Sequence, residues 1–115
     1  MNEHASERAI AERFLDEMFE AERLRDFTAW SQRWDPSDLN GLDDKRYQED
    51  LDAMARELGE YRSRNYFGCV VRKASSGPRY RFVWRTEFEK ADALNIVTIE
   101  QRDSVWFVCE NRCML

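Results

Sequence analysis

Seven cationic side chains, Arg62, Arg64, Arg72, Lys73, Arg79, Arg81 and Arg85, crowd residues 61 to 85, where no Asp or Glu occurs, in a chain of net charge −5. Guanidinium groups so gathered are suited to carboxylate or phosphate, which they hold through paired, charge-assisted hydrogen bonds. Cationic and apolar residues alternate through the stretch, so it reads as a β-hairpin. Its arginines fall mainly on one sheet face, and Phe67, Cys69, Val71, Tyr80, Phe82 and Trp84 on the other. Arg72, Lys73, Arg79, Arg81 and Arg85 are therefore the candidate site for an anion or an acidic partner. A turn at Ser75–Ser76–Gly77–Pro78 pairs residues whose numbers sum to about 153 and sets Arg72 opposite Arg81. Like charges so placed destabilise a strand pair by up to about 1 kcal/mol, which calls for a counter-charge. A carboxylate such as Glu87 or Glu89, a carboxylate from a second subunit, or a bound anionic ligand would each supply it. Nucleic acid is disfavoured as the ligand. Residues 1 to 60 hold 8 basic and 17 acidic side chains, which repel a polyanion, and no nucleic-acid-binding motif occurs.

Proton-transfer chemistry has thinner support. It needs a carboxylate or histidine walled by apolar groups. His4 is the sole histidine and lies in a terminus expected to fray. Glu100 is the weak catalytic candidate: it shares parity with Ile96 and Thr98 and would face Phe107 across a turn. Tyr47, Tyr61, Trp84 and Trp30 would line its pocket; the ordinary alternative is a solvated sheet-edge glutamate. No G-x-S-x-G, P-loop, dinucleotide fingerprint or paired metal-ligand spacing occurs, so neither a cofactor nor a metal is expected. Cys69, Cys109 and Cys113 are odd in number and lack C-x-x-C spacing, the pattern of inert core thiols. The N-terminus carries no apolar leader and no segment approaches the length of a membrane span, so a reducing cytoplasm is the expected setting.

The elements that must position these residues follow from periodicity. From Ser6, the residues Ile10, Phe14, Leu15, Met18 and Phe19 recur at helical spacing, opposite a face of Glu12, Asp16, Glu17, Glu20 and Glu22 that is expected to be solvated. Asp26 caps a short helix carrying Phe27, Trp30 and Trp34 on one side, the two tryptophans being core rather than a cofactor platform. After a loop from Pro36 to Gly41, Asp43 caps a third helix with Tyr47, Leu51, Met54, Ala55 and Leu58 inward, ended by Gly59. Period two then takes over. Strands are predicted over about 61–73, 79–89, 94–102 and 104–112, an antiparallel meander. The last two are apolar on both parities, Leu94 and Ile96 against Val97 and Ile99. A second subunit is the simplest cover for the outer face, which predicts a homodimer through the sheet.

The order of elements, the Leu58–Gly59–x–x–x–Ser63–Arg64 junction, the Leu94 to Glu100 strand and the tight turn before Val105–Trp106–Phe107–Val108 resemble the nuclear transport factor 2-like (cystatin-like α+β) superfamily. Within it the pattern is most similar to a bacterial family of unknown function. The resemblance covers about residues 58 to 108. It implies an α+β cone of two to three N-terminal helices on a curved four-stranded antiparallel sheet, with helices over 6–59 and sheet over 60–113 of a single 1–115 domain. It also implies a pocket between helices and sheet and frequent dimerisation. The expected role is a small dimeric binding or interaction protein with an arginine-rich face. An isomerase- or dehydratase-type enzyme, or a carrier of a small apolar molecule, is the alternative.

Overall fold

A computed structural model of the protein describes residues 3–115. Helix α1 spans Ala5–Leu24, α2 Phe27–Trp30 and α3 Asp44–Glu57, with a 3₁₀ turn at Pro36–Asp38. Strands β1 (Tyr61–Ala74), β2 (Gly77–Phe88), β3 (Asp92–Arg102) and β4 (Val105–Met114) form one open antiparallel meander in the order β1-β2-β3-β4. The expected α+β architecture, helices first and a curved sheet after them, is the observed one.

Both caps read from the sequence are in place. The Asp26 carboxylate accepts from the Ala29 N–H at 3.1 Å, and the Asp43 carboxylate from the Arg46 N–H at 2.9 Å. Gly59 turns the chain out of α3 at φ +75°. A side chain there would be strained by the backbone and would also strike Glu89, whose Cβ lies 2.9 Å from the position a Cβ would take.

The inner face of the sheet carries Phe82, Trp84, Val97, Ile99 and Val108, packed on Ala11, Phe14, Leu15 and Met18 of α1 and on Trp30, Tyr47 and Leu51. Two expectations about β1 need correction. The hairpin turn is two residues, Ser75 and Ser76, so Gly77 and Pro78 belong to β2 and Arg72 faces Arg79 rather than Arg81. A bulge between Tyr66 and Gly68 resets the alternation, so Tyr66 points inward and Phe67 is 63% exposed. The register of β1 also shifts between Tyr61 and Ser63, at Arg62, and a bulge at Cys109 interrupts β4 where Thr98 and Ile99 face Glu110 and Val108. The Asp103–Ser104 turn holds both residues at positive φ, 50° and 66°, the mirror-image geometry that follows the twist of a two-residue hairpin.

The face of α1 expected to be solvated is largely tied down. Glu12 and Asp16 hold Arg64 of β1 at 3.3 and 2.8 Å, and Glu17 holds Arg33 at 2.9 Å. Nor is the start of the chain loose at His4, whose ring meets Tyr80 edge-on at 5.2 Å.

Candidate functional site

On the outer face, the arginines of β2 are each answered from neighbouring residues. Arg79 bonds Glu100 at 2.9 Å, Arg81 bonds Glu110 at 2.8 Å, and Arg85 reaches Asp92 at 3.1 Å and Glu87 at 3.5 Å. Glu87 was an expected source of counter-charge; Glu100, Glu110 and Asp92 were not, because they lie on strands whose register the sequence leaves open. Glu89 answers Arg62 instead, at 4.0 Å. Arg72 and Lys73 carry no ion pair to any of the described residues.

Glu100 is the centre of this network rather than a pocket acid. It is fully buried and accepts from Ser76, from Arg79, and from Arg102 at 3.2 Å, while Arg102 also grips Asp35 and Asp38 at 2.9 and 3.1 Å. Burial is the largest single influence on its carboxyl and would raise the pKa. The Ser76 and Arg102 hydrogen bonds and the charges of Arg102 and Arg79 outweigh it and hold Glu100 below the ordinary carboxylate value. It pairs with Phe107 as expected. Its partner on β2 is Arg79, of opposite parity to Trp84, so it faces away from Trp84 and Tyr47 and the expected grouping of these residues is not formed. It is also neither solvated nor at a sheet edge.

The structure does bring Arg72, Arg79 and Arg81 together with Trp30. They line one cleft of about 600 Å³. Its apolar lining is Trp30, Trp34, Leu39 and Leu42; Arg46 of α3 and Arg112 of β4 add two cations, and Asp38, Asp50 and Glu110 supply three anions. The cleft thus carries five arginines against three carboxylates. Trp30 and Trp34 stack with ring centroids 5.1 Å apart and planes 22° from parallel. Lys73 and Arg85 do not line it. Sequence reasoning missed Arg46, Arg112 and Trp34 as site residues. The signal for Trp34 was its helical spacing from Trp30, although α2 ends at Trp30 and Trp34 lies beyond it; Arg46 and Arg112 lie outside the basic block and carry no local mark.

Behind this cleft, on the inner face, lies a set of buried and partly buried polar groups that the sequence did not single out. Glu22, expected in solvent, accepts from Trp30 Nε1 at 3.1 Å, and burial outweighs that bond to push its carboxyl up to about 7. Burial also raises the Tyr47 hydroxyl well above its usual range, helped by the charge of Glu22. The Tyr47 hydroxyl, Trp84 Nε1, Thr86 Oγ1 and Asn95 Oδ1 are buried without a hydrogen-bond partner among the described residues. Tyr47 and Trp30 are neighbours, centroids 5.5 Å apart, and Trp84 pairs with Asn95 across β2 and β3. Tyr61 is not among them: it is 38% exposed and stacks on Phe19 at 4.2 Å.

The three cysteines are free and half-buried, and burial pushes the Cys109 and Cys113 thiols up to about 11. Among the described residues no group of His, Cys, Asp or Glu is arranged to hold a metal ion, and no helix is long and apolar enough to cross a membrane.

No protein-family profile matches this sequence, and no curated protein matches it. Among solved structures, that of Bdellovibrio bacteriovorus Bd1075 is similar in fold, with a TM-score of 0.52 at 11% identity over 97% of this chain. The alignment takes in 41% of the Bdellovibrio chain, so the present sequence corresponds to about two-fifths of that protein. At such low identity the likeness is one of fold alone.

Proposed function

We propose that this chain is a small binding protein of the nuclear transport factor 2-like superfamily whose cleft takes a small amphipathic anion, the arginines meeting its charge and Trp30 and Trp34 its apolar part. One observation carries the reading: a net positive, tryptophan-lined cleft in a protein of net charge −5. Arg72 and Arg46 are central, because neither carries an ion pair to any of the described residues. Arg112 stands next, with only a 3.8 Å contact to Glu110. Phenyl phosphate should raise the melting temperature saturably and more than inorganic phosphate does. Arg72→Gln with Arg112→Gln should abolish that gain while leaving the fold intact. An equal gain in the double variant, or none in the wild type, would refute the assignment.

The reading includes a homodimer through the outer face of β3 and β4, where Leu94, Ile96 and Met114 lie at paired positions beside alternating Arg85, Asp92 and Arg112. Such a surface, apolar with both signs of charge, is suited to a two-fold contact with a second copy. An enzyme of proton-transfer type, or a carrier, is the second reading. What favours it is the inner polar set, in which Glu22 rather than Glu100 has a carboxyl poised near neutrality beside Tyr47. Titration of the Glu22 carboxyl by carbon NMR tests this, and a midpoint near 4 would remove it.

A further inference from the structure

The two edges of the sheet differ. Beside β4, Trp34 forms a parallel bridge with Val108, and the Val108 N–H donates to the Arg33 carbonyl at 2.9 Å. At the other edge β1, 14 residues long, pairs only with β2. An edge of that length leaves a row of backbone donors and acceptors facing away from the sheet.

Along this edge runs a cleft of about 740 Å³ between the start of α1 and the inner face of β1. Ala5, Arg8 and Ala9 line it from the helix, and Tyr66, Cys69 and Val71 from the strand. Within it Arg8 is paired with Glu12 at 2.8 Å, a carboxylate that also takes Arg64, while Glu3 at its mouth carries no ion pair to a described residue. Phe67, Val70 and Val71 are exposed on the strand itself, at 63%, 57% and 38%.

Charge decides what fits there. The ion pairs of the outer face run across β2, β3 and β4 and stop at β1, where Arg72 pairs with no carboxylate of the described residues and Arg62 has only the 4.0 Å contact with Glu89; Lys73, of the other parity at the hairpin end, is likewise unpaired among them. No strand lies beyond these three cations to answer them. A second copy would not answer them. Two β1 strands side by side would bring together six such cations, Arg62, Arg72 and Lys73 from each chain, with no acid on either strand.

We propose that β1 is the docking edge for an extended acidic segment of a partner protein, which adds as a fifth strand. Its carboxylates would continue the ion pairs out to Arg72 and Arg62, and its alternate apolar side chains would enter the cleft beside α1. The proposal shares Arg72 with the anion cleft, but Arg62, Phe67 and Lys73 do not line that cleft, so its test is placed on them.

A labelled ten-residue peptide alternating glutamate with valine is the probe, and one alternating lysine with valine the control. Fluorescence anisotropy should show saturable binding of the acidic peptide only, weakening as salt is raised. Arg62→Glu with Lys73→Glu, both at exposed positions, should weaken it by about tenfold or more. Amide exchange of residues 63 to 73 in the wild-type protein should slow when peptide is bound, a readout that does not depend on the variant's folding. The proposal is overturned by equal affinity for both peptides, by salt-independent binding, or by binding that leaves those amides unchanged. Slowing of the same amides at high protein concentration without peptide would identify a second copy as the occupant and overturn it equally.

Discussion

Replacing Glu100 with Gln tests whether the buried carboxylate is a structural charge. Removing one partner of a buried ion pair generally costs about 3–5 kcal/mol, because a desolvated charge is left behind. Here the loss is moderated on the arginine side. Arg102 keeps Asp35 and Asp38, and Arg79, the one arginine left without a carboxylate, is 41% exposed and can turn to water. Glutamine also retains an oxygen for Ser76. The expected destabilisation is therefore about 2 kcal/mol, or roughly 10 °C in melting temperature for a domain of this size. Equilibrium urea unfolding at pH 7 measures it. The pH dependence supplies a second signature. A carboxyl held below its usual value stabilises the fold fully above its unfolded pKa of about 4.3, and that contribution is lost as pH falls through the folded value. The gap between wild type and variant should thus be constant above about pH 5 and close in more acid solution. A variant within about 0.5 kcal/mol of wild type at pH 7 would refute the reasoning, as would a gap that widens in acid.

Glu22 should behave in the opposite sense. Its folded pKa is raised to about 7, so its contribution is fully present below the unfolded value and is lost as pH rises to the folded one. Glu22→Gln should flatten the fall in stability between about pH 4.5 and 7, a term of up to about 3 kcal/mol, read from urea midpoints across that range. Trp84→Ala should cost about 3–5 kcal/mol, whereas Trp84→Phe, which removes an unpartnered N–H, should cost far less; denaturant titration of the pair separates packing from polarity. Ile96→Glu should dissociate the proposed dimer and leave a folded monomer by light scattering and circular dichroism. Val97→Glu, at a fully buried position, should unfold the chain.

The helices and the course of the meander were legible because their signals are local. Asp26, Asp43 and Gly59 each act within a turn of where they stand, and β2 alternates without interruption from Tyr80 to Phe88. What was not legible depends on offsets that a single residue introduces. The bulge at Phe67 exchanges faces along β1, and the two-residue turn moves Arg72 from Arg81 to Arg79. Glu22 was misplaced for a different reason. Its neighbours on α1 are acidic, so helical periodicity assigns it to water, but the Trp30 indole from α2 bonds it and its charge acts on Tyr47 of α3. Arginines 72, 79 and 81 were found as a charged block. That Arg46 and Arg112 complete their cleft follows only from the path of the chain around β4.

That path sets an order of assembly. The bonds from Arg102 to Asp35 and Asp38 join residues 67 and 64 positions apart, whereas the three hairpins close over short turns. Local pairings form before long loops are closed, so the segment around Trp34 to Leu42 is expected to settle onto a meander already built. Its polar ties to the sheet among the described residues are few, one backbone bond at Val108 and guanidinium contacts to two partly exposed aspartates, beside the packing of Trp34, Leu39 and Leu42 on the core. The same segment should be the first to detach under native conditions, with its amides exchanging through openings much smaller than global unfolding. One wall of the cleft therefore has a lower local stability than the other, and the rate at which a ligand enters or leaves would be set by how often that wall lifts.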